Sequence, residues 1–166
     1  GVQTCALPIS HDRELQIWLL ELLDQLEQKD AALAQLKVLI ELDPRNLDWH
    51  KKLAERLSTN EAEAERAETS IVEAFPTEAE SHQALAVIRE LQNRLPEAII
   101  EWQQVAELRA LEPTGLLGLA NAQLHAGQFE ACDATLDRLT KTKWDARFNT
   151  VKHQTEELRA QLRAAR

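Results

Sequence analysis

A small residue recurs near the start of a helical pattern four times in this chain, as Ala32, Ala67, Ala98 and Ala131, at spacings of 35, 31 and 33 residues. Unrelated helix pairs have no reason to recur so evenly. A period of about 34 predicts stacked antiparallel helix pairs, each too small to bury its apolar face alone. The physical need for a small side chain is close approach, since a large one would force the two helices of a hairpin apart. A larger residue follows four places later as Leu36, Ile71 and Trp102, and the fourth copy departs with Thr135.

The breaks between helices repeat as well. Gln92-Asn93-Arg94 closes one helix, Pro96 opens the next, Glu112-Pro113 stops it, and Gly127 separates the following two. Upstream, a first helix over 12–28 has Asp12 near its start and turns Leu15, Trp18 or Leu19, Leu22 and Leu26 inward at three- and four-residue steps. A second runs over 31–42, capped by Asp30 and ended by Asp43-Pro44. A third covers 47–57, and Asn60 with Glu63 forms an approximate capping box for a fourth over 61–75. After the last pair, a polar link over 141–148 holds Trp144 and Phe148, read first as a plug for the terminal helix and alternatively as an aromatic anchor for a partner. That helix, over about 149–163, has a thin stripe of Val151, Leu158 and Leu162 that suits the end of a stack. Trp18 and Trp102 read as core; Trp49 divides evenly between core and exposed recognition. The chain is therefore all-α, with pairs at about 12–44, 46–76, 79–112 and 114–140, and a linker and capping helix over 141–166.

Composition narrows the function. With 28 acidic against 19 basic residues the formal charge is -9, which argues against nucleic acid, whose phosphates need Lys and Arg. No run reaches the 18 apolar residues of a membrane span. Two cysteines, Cys5 and Cys132, make neither a disulfide framework nor a metal site, and Cys132 reads as a small buried residue. No HExxH, GxSxG, P-loop or paired-cysteine zinc pattern occurs, so no catalytic residue, cofactor site or metal site is assigned. The five histidines, His11, His50, His82, His125 and His153, are too dispersed for a local metal pair and read as groove or core residues.

Residues 1–10 stand apart. Gly1–Ile9, in a chain with no Met, resembles a translated sequencing-adaptor scar, so the segment is expected to be a non-native or disordered leader. On that reading the natural protein, of bacterial type, extends upstream, and its localisation is not legible here.

Taken together, Leu19, Leu20, Leu23, Ala32, Leu36, Leu39 and Pro44, then His82, Leu85, Ala86, Ala98, Trp102 and Val105, and finally Gly118, Leu119, Ala131 and the HAGQFEAC turn, resemble the tetratricopeptide repeat. The second pair matches least, because Phe75-Pro76 arrives early. The resemblance implies a right-handed helical-hairpin solenoid, a superhelix with a C-terminal capping helix, in which first helices line a concave peptide-binding face. Carried over by register, it nominates Trp49, Lys52 and Arg56 in the second pair, Gln83, Val87 and Glu90 in the third, and Leu116, Ala120 and Gln123 in the fourth. Gln83 and Leu116 stand where the carboxylate-clamping branch has asparagines, which weighs against that clamp. The expected role is a non-catalytic scaffold for a protein or peptide partner. The alternative is a structural or regulatory C-terminal region of a larger enzyme or membrane-anchored protein.

Overall fold

A computed structural model describes residues 13–166; the leader, Cys5, His11 and the Asp12 cap lie outside them. The described residues form nine α-helices: α1 (Arg13–Gln25), α2 (Lys29–Leu42), α3 (Leu47–Leu57), α4 (Glu61–Ala74), α5 (Ala79–Leu91), α6 (Leu95–Leu108), α7 (Thr114–His125), α8 (Phe129–Lys141) and α9 (Val151–Ala165). A 3-10 turn at Ala146–Phe148 precedes α9. None of the described helices is long and apolar enough to cross a membrane. The chain divides into two compact units between Ala74 and Phe75.

In the first unit, α1 packs on α2, α2 on α3 and α3 on α4. Leu20, Ala32, Leu36, Leu39 and Trp49 make its core. A buried amide bridge crosses the first hairpin, with Gln35 Nε2 donating to Gln16 Oε1 at 2.6 Å and to the Gln16 carbonyl at 3.1 Å. Asp30 sits in the first turn of α2 beside the helix dipole and is not its cap, which Gln28 occupies without a side-chain bond. Asn60 does cap α4, its Oδ1 accepting the Glu63 N–H at 3.3 Å. Trp18 departs from expectation: it is 57% exposed, because the inward face of α1 is built by Gln16 and Leu20.

In the second unit, α5 packs on α6, α6 on α7, α7 on α8, and α9 on both α7 and α8. Ala86, Trp102, Val105, Leu119, Cys132, Leu136 and Leu139 belong to one core cluster that Val151 and Leu162 of α9 close. Trp144 and Phe148 pack against that cluster, and Trp144 Nε1 donates to the Leu139 carbonyl at 2.9 Å, so the link does plug the end.

Turn geometry fixes the repeat register. Glu27, Asn93 and Gly127 adopt left-handed backbone at φ 54°, 58° and 69°, each five residues before a buried small residue: Ala32, Ala98 and Cys132. The fourth close-approach residue is thus Cys132 and not Ala131, and the larger residue four places on is Leu136 and not Thr135. The apparent departure at Thr135 disappears. In the second pair the matching residue is Ala64 and not Ala67, three places after the start of α4 as Ala32, Ala98 and Cys132 are in α2, α6 and α8. The turn there lacks a left-handed residue, and α3 has 11 residues where α1 and α5 have 13, which is why the second pair fits the pattern least well.

Two tests follow from the ends of this unit. Arg159 donates to Asp137 Oδ1 at 2.5 Å and to Asp133 Oδ1 at 3.2 Å, tying α9 to α8. That hydrogen bond from Arg159, and next the one from Lys141, hold the Asp137 carboxyl below its ordinary value. A depressed carboxyl stabilises the fold above the ordinary carboxylate range and loses that contribution as pH falls through its lowered value. Amide protection factors in α9 should therefore fall as pH drops below the ordinary Asp range, and Asp137→Asn should abolish that acid step. Burial in turn raises the Cys132 thiol above its ordinary value, with Asp133 adding to the shift. Its Sγ lies 3.3 Å from the Ala120 carbonyl. In a Cys5→Ser background a thiol reagent should label Cys132 only at the rate of unfolding, and rapid labelling of that folded variant at neutral pH would contradict this packing.

Candidate interaction surface

The nine residues nominated by register divide sharply. Leu116, Ala120 and Gln123 are buried, so they cannot line an exposed face. Leu116 and Ala120 belong to the core cluster, and Gln123 Oε1 accepts from the Thr135 hydroxyl at 2.8 Å across the fourth hairpin. The cause is the same one-residue register shift. With Cys132 at the close-approach position, Ala120 takes the inward place that Ala86 holds in α5, and the outward place passes to Asn121.

In the first unit, Trp49 is buried in the core, and its indole N–H finds no hydrogen-bond partner among the described residues. Lys52 is exposed, with its Nζ 4.8 Å from the centroid of the Trp49 ring, a cation–π contact worth about 0.5–1 kcal/mol at such a site. Arg56 donates to Asp24 Oδ2 of α1 at 2.6 Å. Both groups are partly exposed, so the pair contributes little to stability. The three residues share one helix, and two of them already face protein partners. Arg56, Asp24 and Leu23 also border a cleft of about 660 Å³ beside the α1–α2 turn.

In the second unit, Gln83 is half-buried, Val87 exposed and Glu90 half-buried on α5. Glu90 Oε1 accepts the Trp102 indole N–H at 2.8 Å, which fixes the carboxylate in place. Val87, Glu90 and Leu91 form one wall of a cleft of about 430 Å³, Asn121 and His125 of α7 form the other, and Asn93 lies at its end. Register reading missed Asn121 and His125. The left-handed Gly127 turn, five residues before Cys132, was the signal that would have placed them.

Beneath this face lies a charged network that the sequence did not announce. Glu101 of α6 is buried, with Oε2 hydrogen-bonded to His82 Nδ1 at 2.6 Å and Oε1 to Arg89 Nη1 at 2.5 Å. His82 Nε2 donates to the Pro76 carbonyl at 3.1 Å, since a carbonyl can only accept. His50 Nε2 makes the same bond to the Pro44 carbonyl at 3.0 Å, six residues back in both cases. These histidines pin the entry of α3 and α5 to the preceding loop. They serve the fold, and among the described residues no group of three or more His, Cys, Asp or Glu is placed to hold a metal ion.

Comparison with solved structures defines the class. YrrB, described as a TPR protein with an unusual peptide-binding site, superposes with a TM-score of 0.62 at 13% identity, over 94% of this chain and 87% of its own. TTC0263, a thermophilic TPR protein from Thermus thermophilus, gives 0.53 at 20% identity, over 93% and 81%. MamA (41-end) from Desulfovibrio magneticus RS-1 gives 0.56 at 15% identity, over 78% and 74%. The fold is that of tetratricopeptide-repeat proteins, an all-α succession of helical hairpins. No family model matches the sequence, and no curated protein matches it.

Proposed function

We propose that this chain is a non-catalytic interaction scaffold that holds an extended segment of a partner protein on its first helices, anchored in the cleft between α5 and α7. The observation that carries this reading is the chemistry of that cleft. Exposed Val87 and Leu91 offer an apolar seat, and Asn121 offers an amide that both donates and accepts, as a peptide backbone requires. Glu90 adds an acidic group held by Trp102, which favours a segment carrying a basic or amide side chain over a free C-terminal carboxylate. The helical-hairpin likeness to YrrB supports a peptide ligand in general.

The experiment is selection of binding peptides from a displayed library on the purified chain, followed by titration against Val87→Asp combined with Asn121→Ala. Loss of roughly tenfold or more in affinity, with the helical signal intact, is expected. An enriched peptide whose affinity both substitutions leave unchanged would move the site elsewhere. Ala120 and Gln123 are unsuitable probes, because altering either disturbs the core.

A further inference from the structure

Glu90 is a half-buried carboxylate without a counter-cation. Its Oε1 accepts the Trp102 indole N–H at 2.8 Å, and no other hydrogen bond or ion pair reaches it among the described residues. The cations nearest to it in sequence are bound elsewhere, Arg89 to Glu101 and Arg94 to Glu97 and Gln92. Across the cleft, Asn121 and His125 of α7 bring neither Lys nor Arg to face it. Val87 and Leu91 flank the carboxylate with apolar surface, so part of its hydration is lost and nothing in the unit replaces it at Oε2.

Trp102 makes this arrangement rigid. Its side chain is 6% exposed and lies against α7, where a Cβ on Gly118 would run into the ring. An indole N–H can only donate, and Glu90 is its one acceptor among the described residues. Turning the carboxylate away would leave that buried donor unsatisfied, which is costly. Glu90 therefore stays at the cleft with Oε1 committed and Oε2 open.

We propose that the cleft selects a Lys side chain of the bound segment, and that Trp102 is the positioning residue behind that choice. The inference rests on the α5–α7 cleft being the binding site, as proposed above. Lys ends in a compact ammonium that a single oxygen can satisfy, leaving its other donors to water at the cleft mouth. Arg presents a planar fork that is best met by both oxygens of a carboxylate at once, and here one of them already holds the indole. The Lys stem has apolar surface to lie along, since Val87 stands one turn before Glu90 on the same side of α5. A neutral side chain in that place would dehydrate the carboxylate further and leave it unpaired.

The test selects binders on the full chain from three displayed libraries of short peptides, with Lys, Arg or Leu fixed at the centre and the other positions random. The Lys library is expected to dominate, and its best peptide is resynthesised with Arg or norleucine in place of the Lys. Each replacement should weaken binding to the parent roughly fivefold or more, as loss of a hydrogen bond to a charged group implies. Glu90→Gln should erase the difference between Lys and norleucine. Trp102→Phe keeps a ring on Gly118 and removes the N–H, so it should narrow or reverse the gap between Lys and Arg, which a packing role alone would not do. Dominance of the Arg or Leu library, or equal or tighter binding of the Arg peptide by the parent, overturns the proposal without any variant having to fold. So does a Lys preference that survives Glu90→Gln, or that survives Trp102→Phe with the helical signal intact. Binding that Val87→Asp with Asn121→Ala leaves unchanged would remove the cleft itself and defeat both readings, whereas cleft binding without a Lys preference defeats this one alone.

Discussion

Replacing Glu101 with Ala should destabilise the second unit by about 3–5 kcal/mol, as expected when one partner is removed from a buried charged set. Glu101 is 7% exposed and receives Arg89 on one oxygen and His82 on the other, so the substitution strips both of that carboxylate. Arg89 loses its 2.5 Å bond to Glu101 Oε1 at a side chain only 15% exposed, where replacement by water is hindered. Losing the Glu101 contact also frees His82, whose bond to the Pro76 carbonyl sets the entry of α5. Denaturant unfolding measures the loss, and amide exchange in α5 and α6 localises it. Glu101→Leu combined with Arg89→Met should recover much of the stability, since apolar groups of similar volume can replace a buried ion set. A single-variant curve within about 0.5 kcal/mol of the parent would show that the network is solvated and not structural.

Gly115→Ala is the next largest expected loss, about 1–3 kcal/mol. An ideal Cβ at this position would stand within 2.5 Å of the Ala106 Cα and 2.8 Å of the Val105 carbonyl carbon. Those atoms are backbone of α6 and cannot swing aside, so α7 would have to move off α6. The gain in helix propensity from Gly to Ala, up to about 1 kcal/mol, offsets only part of that. Two companion substitutions rank the causes. At Gly118 the obstacle is the Trp102 side chain, which can rotate at the expense of its bond to Glu90, so Ala should cost less there. At Gly127 nothing lies within 4 Å, and Ala should lose only the left-handed backbone preference, about 1–2 kcal/mol. Unfolding curves for the three variants that failed to place Gly115 at least as low as Gly118 would refute close helix contact at Ala106.

Several elements were legible before any coordinates. Leu47–Leu57 fell where its apolar spacing placed it, and the Asn46 cap found in the structure agrees with that start. The small residues Ala32 and Ala98 are fully or almost fully buried, as close approach of paired helices demands. Errors arose where neighbouring residues were equally plausible. Ala131 and Cys132 are adjacent and both small, so composition could not choose between them. The choice moved every outward position of α7 by one, turning Asn121 to the surface in place of Ala120.

The sequence by itself determined the class of fold, because a recurrent small residue and evenly placed breaks leave helical hairpins as the arrangement that buries the apolar stripes. It also determined that Cys132 is a packing residue and that Trp102 is core. Tertiary structure alone decided three matters. It exposed Trp18, because burial depends on whether a neighbouring helix lies against that side of α1, and periodicity within one helix is blind to its neighbours. It joined His82, Arg89 and Glu101, since contacts across two helices between residues 12 and 19 apart leave no local trace. And it set the walls of the α5–α7 cleft, because which side chains face outward depends on a turn conformation at Gly127 that shifts the register by a single residue.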